Sequence, residues 1–244
     1  MIGGLPYLLS IGALIGAICP GWAQFEPPRI VSVMHRYNSG DLLDSLAVER
    51  AYYLDKGIDS NIKQGDELKV YRAVTFKGTG QPALLVSIGT MKIRITQQGA
   101  AIGTFEPKIG IDDLPGVEYK TAMIGDLVAP RLVVEARLLF DSGKADFKQG
   151  ATAELDKVAG FIGVFLPSQL VVEGHSDSDG KPETNQQLSE LRAQVVRGYL
   201  VNQFDFIKAN TVRAVGYGET QPVAENTSEI NKQLNRRIEF VVLD

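Results

Sequence analysis

The stretch from Val171 to Val196 reads VVEGHSDSDGKPETNQQLSELRAQVV and predicts a strand, a polar loop and a helix in succession. The run Leu170 to Glu173, apolar in its first three residues, is typical of a short buried strand, and residues 174–184 are rich in turn-forming types. Thr184, with Gln187 three residues later, forms a capping box that predicts the start of the helix. The apolar positions on one side of that helix are Leu188, Leu191, Val195, Tyr199 and Leu200.

The flanking sequence extends this pattern of alternating strands and helices. Phe147 to Leu166 is predicted to be a helix that Pro167 stops, with Leu155, Val158, Ala159 and Ile162 forming one apolar stripe. Further strands are predicted at Leu132 to Phe140, Thr211 to Val215 and Arg237 to Val242. Residues 131–244 are therefore expected to form an α/β sandwich, with two main helices on a mixed four-stranded sheet.

Residues 24–130 have a different pattern, with short β-rich runs separated by turn residues. This spacing predicts a small β-barrel-like module, so the fold class of the whole chain is α+β. Lys92, Arg94 and Thr96 alternate with Ile93 and Ile95, as in a half-buried strand. The predicted strands are Val48 to Leu54, Leu68 to Phe76, Leu84 to Thr96 and Ala101 to Phe105, with a short helical segment near Asp41 to Val48.

Glycine and aspartate mark the predicted turns of this module. Gly57, Gly65 and Gly125 are expected at positive φ, and Asp66 and Asp126 are expected to hydrogen-bond their turns. The pieces LDKGIDSNIKQGDELKVYR and MIGDLVAP resemble the C-terminal β domain of flagellar assembly protein T. No convergent catalytic set is evident in this part of the sequence, and a structural or partner-binding role is favoured over catalysis.

The first 23 residues have the composition of a targeting segment. Leu5 to Ala23 has no charged side chain, and Gly21-Trp22-Ala23 places small residues where a signal peptidase would cut before Gln24. An uncleaved membrane anchor and a lipoprotein modified at Cys19 are the alternatives, although Ile18 is not the small residue usual before a lipidated cysteine. All three interpretations send the rest of the chain across a membrane.

Composition excludes several classes of function. The net charge of −4 gives no basic field for nucleic acid, so no nucleic-acid partner is expected. The single cysteine, Cys19, lies in the targeting segment, so no disulfide, zinc–thiolate site or cysteine nucleophile is expected after cleavage. No cofactor or metal is expected.

Four blocks of the C-terminal half carry a family resemblance. In order they are FDSGKADF, VVEGHSDSDGKPETNQQLSELRAQVV, VRAVGYGETQPVAEN and NRRIEF. They resemble the OmpA C-terminal-like domain family, which includes Pal-type lipoproteins and the periplasmic domains of MotB-type stators. The resemblance implies non-covalent binding of the peptidoglycan stem peptide at its diaminopimelate residue, in the periplasm or outer membrane of a Gram-negative bacterium. It also implies a tethering protein rather than an enzyme.

The resemblance places the family's key aspartate at Asp177 and its key arginine at Arg192, with Asn185 and Arg236 as further ligand-binding residues. The chemistry is consistent with this, because the distal carbon of diaminopimelate carries both an ammonium and a carboxylate. A strand–loop–helix return can bring Asp177 and Arg192 together, and arginine can grip a carboxylate through two hydrogen bonds. Taken singly, each residue has an ordinary structural interpretation, such as loop capping for Asp177 or a solvated surface position for Arg192.

Two alternatives remain open at the level of sequence. His175, Asp177 and Asp179 alternate in sequence and could hold a metal ion in a hydrolase, although no general base completes the set. Alternatively, the same wall-binding domain could anchor a motility or secretion machine, with the β module holding an envelope protein partner.

Overall fold

A computed structural model describes residues 25–35, 50–75, 83–114 and 116–244. The targeting segment, the short helix predicted near Asp41 to Val48 and the turn at 77–80 lie outside the described residues. Within the described part of the chain, no helix is both long and apolar enough to cross a membrane. These residues fall into two compact units, one of residues 27–130 and the other of residues 131–244 together with 25 and 26.

The first unit is a six-stranded antiparallel sheet. The strands are β1 (Ile30–His35), β2 (Arg50–Leu54), β3 (Glu67–Val74), β4 (Leu84–Gln97), β5 (Ala100–Pro107) and β6 (Leu127–Ala129). Their order in the sheet is β1-β2-β5-β4-β3-β6, and 3₁₀ turns lie at Ile58–Ser60 and Ile111–Asp113.

The two outer strands of this sheet meet through main-chain hydrogen bonds. Val128 N–H donates to the Pro28 carbonyl at 2.7 Å, and Ile30 N–H donates to the Asp126 carbonyl at 3.0 Å. Closure of this kind removes exposed sheet edges, and the prediction of a small β-barrel-like module is confirmed. Its core includes Tyr52, Leu54, Val70, Ile88, Met91, Ile93 and Val128.

The turn predictions are confirmed at two of the three glycines. Gly65 and Gly125 have φ of +93° and +92°, and the carboxylates of Asp66 and Asp126 each accept a main-chain N–H three residues earlier at 2.8 Å. Gly57 differs, because its φ is −143°. A Cβ at Gly57 would lie 1.9 Å from the Gln97 carbonyl oxygen, so close packing rather than backbone conformation requires glycine there.

The predicted alternation along β4 fails at its end. Ile93 is buried, but Ile95 is 51% exposed. The pairing register with β5 shifts between these two residues, as expected for a β-bulge, which turns the following side chains to the opposite face.

The second unit is a mixed four-stranded sheet with helices packed on it, as predicted. Its elements are β7 (Arg131–Glu135), α1 (Ala136–Leu139), α2 (Ala151–Phe165), β8 (Leu170–Gly174), α3 (Pro182–Gln203), β9 (Val212–Gly216), α4 (Glu229–Asn235) and β10 (Arg237–Val242). The strand order is β7-β10-β8-β9; β8 and β9 are parallel, and the other pairs are antiparallel. The core joins the predicted α2 stripe to Val172, Val196, Leu200, Ile238 and Phe240.

Several element boundaries differ from the predictions. The first strand ends at Glu135, where α1 begins. Helix α3 starts at Pro182, and Lys181 is its N-cap residue, so the capping box predicted at Thr184 is wrong. Leu191 is 50% exposed, because the buried face of α3 is rotated toward Asn185, Ser189, Arg192, Ala193, Val196 and Leu200.

Candidate functional site

Glycines at the ends of two neighbouring strands let α3 lie directly against the sheet. A Cβ at Gly174, the last residue of β8, would lie 2.1 Å from the Ser189 carbonyl oxygen. A Cβ at Gly216, the last residue of β9, would lie 2.3 Å from the main-chain nitrogen of Glu190. Only glycine permits this close approach. The approach places the middle of α3 beside the loop that follows β8.

Asp177 lies in that loop, and both of its carboxylate oxygens accept hydrogen bonds. Oδ1 accepts the main-chain N–H of Asp179 at 3.0 Å. Oδ2 accepts from Nη1 of Arg236 at 2.5 Å. The side chain is almost completely buried, so these bonds hold a desolvated negative charge in one position.

Arg192 projects from α3 and is only 6% exposed. Its Nε donates to the Lys144 carbonyl at 2.8 Å, and its Nη2 donates to the Asp141 carbonyl at 3.1 Å. The guanidinium also lies over the ring of Phe140, 5.1 Å from the ring centroid. All of these partners are uncharged, and no carboxylate lies within ion-pair distance of Arg192 in the described part of the chain.

The pKa of Arg192 responds to both its burial and the charge of Asp177. Burial lowers the pKa of the guanidinium, and the negative charge of Asp177 acts in the opposite direction. The two residues that the resemblance singled out therefore differ in their partners: Asp177 is an anion held by Arg236, and Arg192 is a desolvated cation with no directly bound carboxylate among the described residues. Such an arrangement offers one negative and one positive side chain to a ligand that carries both charges.

Asn185, on the first turns of α3, lies behind the loop. Its Nδ2 donates to the main-chain oxygen of Asp177 at 3.2 Å and to Oε2 of Glu219 at 2.7 Å. These bonds position the Asp177 backbone. Direct ligand contact by Asn185 stays a prediction.

Arg236 lies at the end of α4, between two acidic side chains. Its Nη1 pairs with Asp177, and its Nη2 pairs with Glu229. Burial acts to lower the pKa of Arg236, but the hydrogen bonds to Glu229 and Asp177 raise it above the ordinary value. Lys232, on the same short helix, donates to Asp179 at 2.6 Å, which links α4 to the loop a second time.

Part of this site was not predicted from the sequence. Helix α4 and its residues Glu229 and Lys232 were missed, although Ser228 caps the helix by accepting from Asn231 N–H at 3.2 Å, a visible signal. The partners of Arg192 at Phe140, Asp141 and Lys144 lie within the FDSGKADF block, to which no role was assigned.

The arrangement proposed for a metal hydrolase is not found. His175 is 1% exposed, and its ring stacks on Tyr217 with centroids 5.4 Å apart. Its Nε2 lies 3.5 Å from Oε2 of Glu173. Among the described residues, the group at metal-ligand spacing that contains His175 consists of Glu173, His175 and Glu239, without Asp177 or Asp179.

Neighbouring arginines balance the charge of this second group. Arg237 Nε donates to Oε1 of Glu239 at 2.7 Å, and Arg131 Nη1 lies 3.6 Å from the other Glu239 oxygen. A divalent cation added beside these guanidiniums would leave buried positive charge in excess. The group is therefore better described as a buried charge network than as a metal centre.

Comparison with known proteins supports the assignment of this unit. Residues 139–236 match the model of the OmpA family. Outer membrane porin F of Pseudomonas aeruginosa is 39% identical over 115 residues, which cover 47% of this chain and 33% of the porin. Outer membrane protein Omp38 of Acinetobacter baumannii is 32% identical over 107 residues, which cover 44% of this chain and 30% of that protein.

One solved structure has a comparable match in sequence. The cell wall anchor of the T6SS from Pseudomonas aeruginosa is 29% identical, with a TM-score of 0.42, over 47% of this chain and 80% of that structure. The match spans about a third of the length of the curated relatives above. Residues 139–236, which match the OmpA family model, contain Asp177, Arg192, Asn185 and Arg236.

Proposed function

We propose that the chain binds peptidoglycan non-covalently and tethers the cell envelope to the wall, in the periplasm or at the outer membrane. The observation that carries this proposal is the burial of Arg192 among uncharged hydrogen-bond partners. Its guanidinium is almost completely buried, makes hydrogen bonds only to uncharged groups among the described residues, and lies in the field of Asp177. A buried arginine without a paired carboxylate is costly unless an anion completes it.

The ligand group with matching chemistry is the distal end of diaminopimelate in a stem peptide. Its carboxylate would receive the guanidinium of Arg192, and its ammonium would lie against Asp177. On the α4 side, Arg236 would hold Asp177 in place for the ammonium. The resemblance that points to diaminopimelate names Asp177 and Arg192 as its key residues, and the charges of these two side chains are opposite to those of the ligand group.

The arrangement favours binding over catalysis. His175 is stacked and buried away from solvent, and burial with the nearby charge of Arg237 lowers its pKa to about 4, so it is neutral near pH 7. Asp177 is held by Arg236 rather than by a proton-accepting partner. These residues can recognise charge, but they do not form a nucleophile–base pair.

Co-sedimentation tests this proposal with the full chain. The wild-type protein is expected to pellet with purified diaminopimelate-type peptidoglycan without releasing soluble muropeptides. A double variant, Asp177→Ala with Arg192→Ala, should stay in the supernatant while retaining its circular dichroism spectrum. A wild-type protein that does not pellet, or that digests the wall, would contradict the proposal.

A further inference from the structure

The two charged side chains of the proposed site, Asp177 and Arg192, differ in the partners that they already have within the protein. Asp177 has both oxygens engaged, one of them by the guanidinium of Arg236. Arg192 has only main-chain carbonyls as hydrogen-bond partners and an aromatic ring beneath it. The positive charge of Arg192 is therefore the one that lacks a directly bound counter-ion among the described residues.

The hydrogen-bonding capacity of Arg192 is only partly used. A guanidinium has five N–H donors in one plane, and the Lys144 and Asp141 carbonyls accept two of them. These two carbonyls fix the plane of the guanidinium. The remaining donors can meet two acceptor atoms of one ligand group side by side.

We propose that Arg192 makes the site selective for the free distal carboxylate of diaminopimelate and against its carboxamide form. This inference rests on the proposed function. A carboxylate offers two equivalent acceptor oxygens and one negative charge. A carboxamide offers one acceptor oxygen and an NH₂ group, which would face another donor of the guanidinium.

The expected size of the discrimination follows from the two contacts. The carboxylate can accept two charge-assisted hydrogen bonds from the guanidinium, whereas the carboxamide can accept through only one oxygen. Amidation also leaves the buried guanidinium without a counter-ion. Amidation should lower the affinity about tenfold or more, which corresponds to about 1.4 kcal/mol or more at 25 °C.

The test compares two stem peptides that differ only in whether the distal carboxyl of diaminopimelate is free or amidated. Each is titrated into the full chain by isothermal calorimetry. Affinity for the amidated peptide should be at least about tenfold lower. Equal affinities, within about twofold, would overturn this inference alone, whereas absence of binding to either peptide would overturn the proposed function and this inference with it.

Two variants assign the discrimination to Arg192. In Arg192→Gln, the affinity ratio between the acid and amide peptides should collapse toward one, because the unpaired charge is gone. In Asp177→Asn, both peptides should bind more weakly while the ratio persists. If Arg192→Gln fails to fold by circular dichroism, Arg192→Lys takes its place and should keep a reduced preference for the acid. Full discrimination in a folded Arg192→Gln protein would overturn the assignment.

Discussion

Arg192 is held by carbonyl groups that are 48 and 51 residues away in sequence, and Asp177 is held by an arginine 59 residues away. Both charged side chains are therefore fixed before any ligand arrives. A site fixed in this way loses little conformational entropy on binding. The folded protein instead bears the free-energy cost of two desolvated charges. Such a cost is consistent with a site that serves recognition rather than stability.

The first prediction at this scale concerns the anionic side of the site. Asp177→Asn keeps the size of the side chain but removes the charge opposite the ligand ammonium, so affinity for a diaminopimelate stem peptide should fall. Truncating one partner of a buried charge pair typically costs about 2–5 kcal/mol, or roughly 30-fold or more in the dissociation constant. Isothermal titration calorimetry of the stem peptide with the wild type and with Asp177→Asn measures this change in the dissociation constant.

Asp179→Asn is the matched control for that prediction. Asp179 is two residues away in the same loop, but its side chain is 60% exposed and paired with Lys232 at the surface. Exposed ion pairs contribute about 0–1 kcal/mol, so affinity should change by no more than a few fold. Equal losses in the two variants would mean that loop charge in general, not Asp177, determines binding.

The second prediction at the residue scale concerns the pH dependence of stability. Burial and Arg237 lower the pKa of His175 to about 4, against 6.5 for an unperturbed histidine. Between these two pH values the unfolded chain binds a proton that the folded chain does not, so the free energy of unfolding should fall as the pH decreases through this window. At about 1.36 kcal/mol per pH unit, the contribution of His175 is at most roughly 3 kcal/mol.

Denaturant unfolding of the wild type and of His175→Phe, at pH 7 and pH 4.5, isolates this contribution. Phenylalanine retains a ring to stack on Tyr217 and cannot titrate. The contact between Nε2 of His175 and Oε2 of Glu173 is long, at 3.5 Å, so little should be lost at pH 7. The variant should lose less stability on acidification than the wild type, and identical losses would exclude His175 as the source.

At the scale of elements, close contact between α3 and the ends of β8 and β9 decides where the site lies. In Gly174→Ala, the added methyl group would lie 2.1 Å from a carbonyl oxygen of α3, an atom that cannot rotate away. The helix must shift, and overpacking of this kind typically costs about 1–3 kcal/mol. We expect a lower free energy of unfolding together with weaker binding of the stem peptide.

Gly160→Ala provides the control, because Gly160 lies within α2 and a Cβ there would have no neighbouring atom within 4 Å. Replacing a glycine inside a helix by alanine should stabilise the protein by about 0.5–1 kcal/mol. Ligand affinity should not change. If both alanine variants were equally stable, direct packing of α3 on β8 could not be what positions the loop.

How far the sequence predicted these elements depended on their length. The fifteen residues of α2 repeat the apolar period often enough to be identified. The four residues of α1 and the seven of α4 do not. The burial of Arg192 could not be predicted from the apolar stripe of α3, because the groups that satisfy its polar atoms are main-chain carbonyls of a distant loop. The family resemblance singled out Asp177 and Arg192, but the sequence did not reveal the roles of Glu229 and Lys232 or the main-chain carbonyls that hold Arg192.

At the scale of the whole molecule, each of the two units has its own hydrophobic core. The core of the first unit is built from residues of β1 to β6 and their turns. The core of the second is built from α1, α2, α3 and the four-stranded sheet. A unit that buries its own apolar residues and pairs its own strands has the requirements for folding as a separate domain.

Separate expression of residues 24–130 and 131–244 is therefore expected to give two folded proteins with different properties. The C-terminal piece contains Asp177, Arg192 and Arg236, and should co-sediment with diaminopimelate-type peptidoglycan and bind the stem peptide with an affinity within a few fold of the full chain. The N-terminal piece lacks those residues and should remain in the supernatant. Circular dichroism with thermal unfolding serves as the folding control for both, and binding confined to the N-terminal piece would place the wall-binding surface on the barrel instead of on the loop after β8.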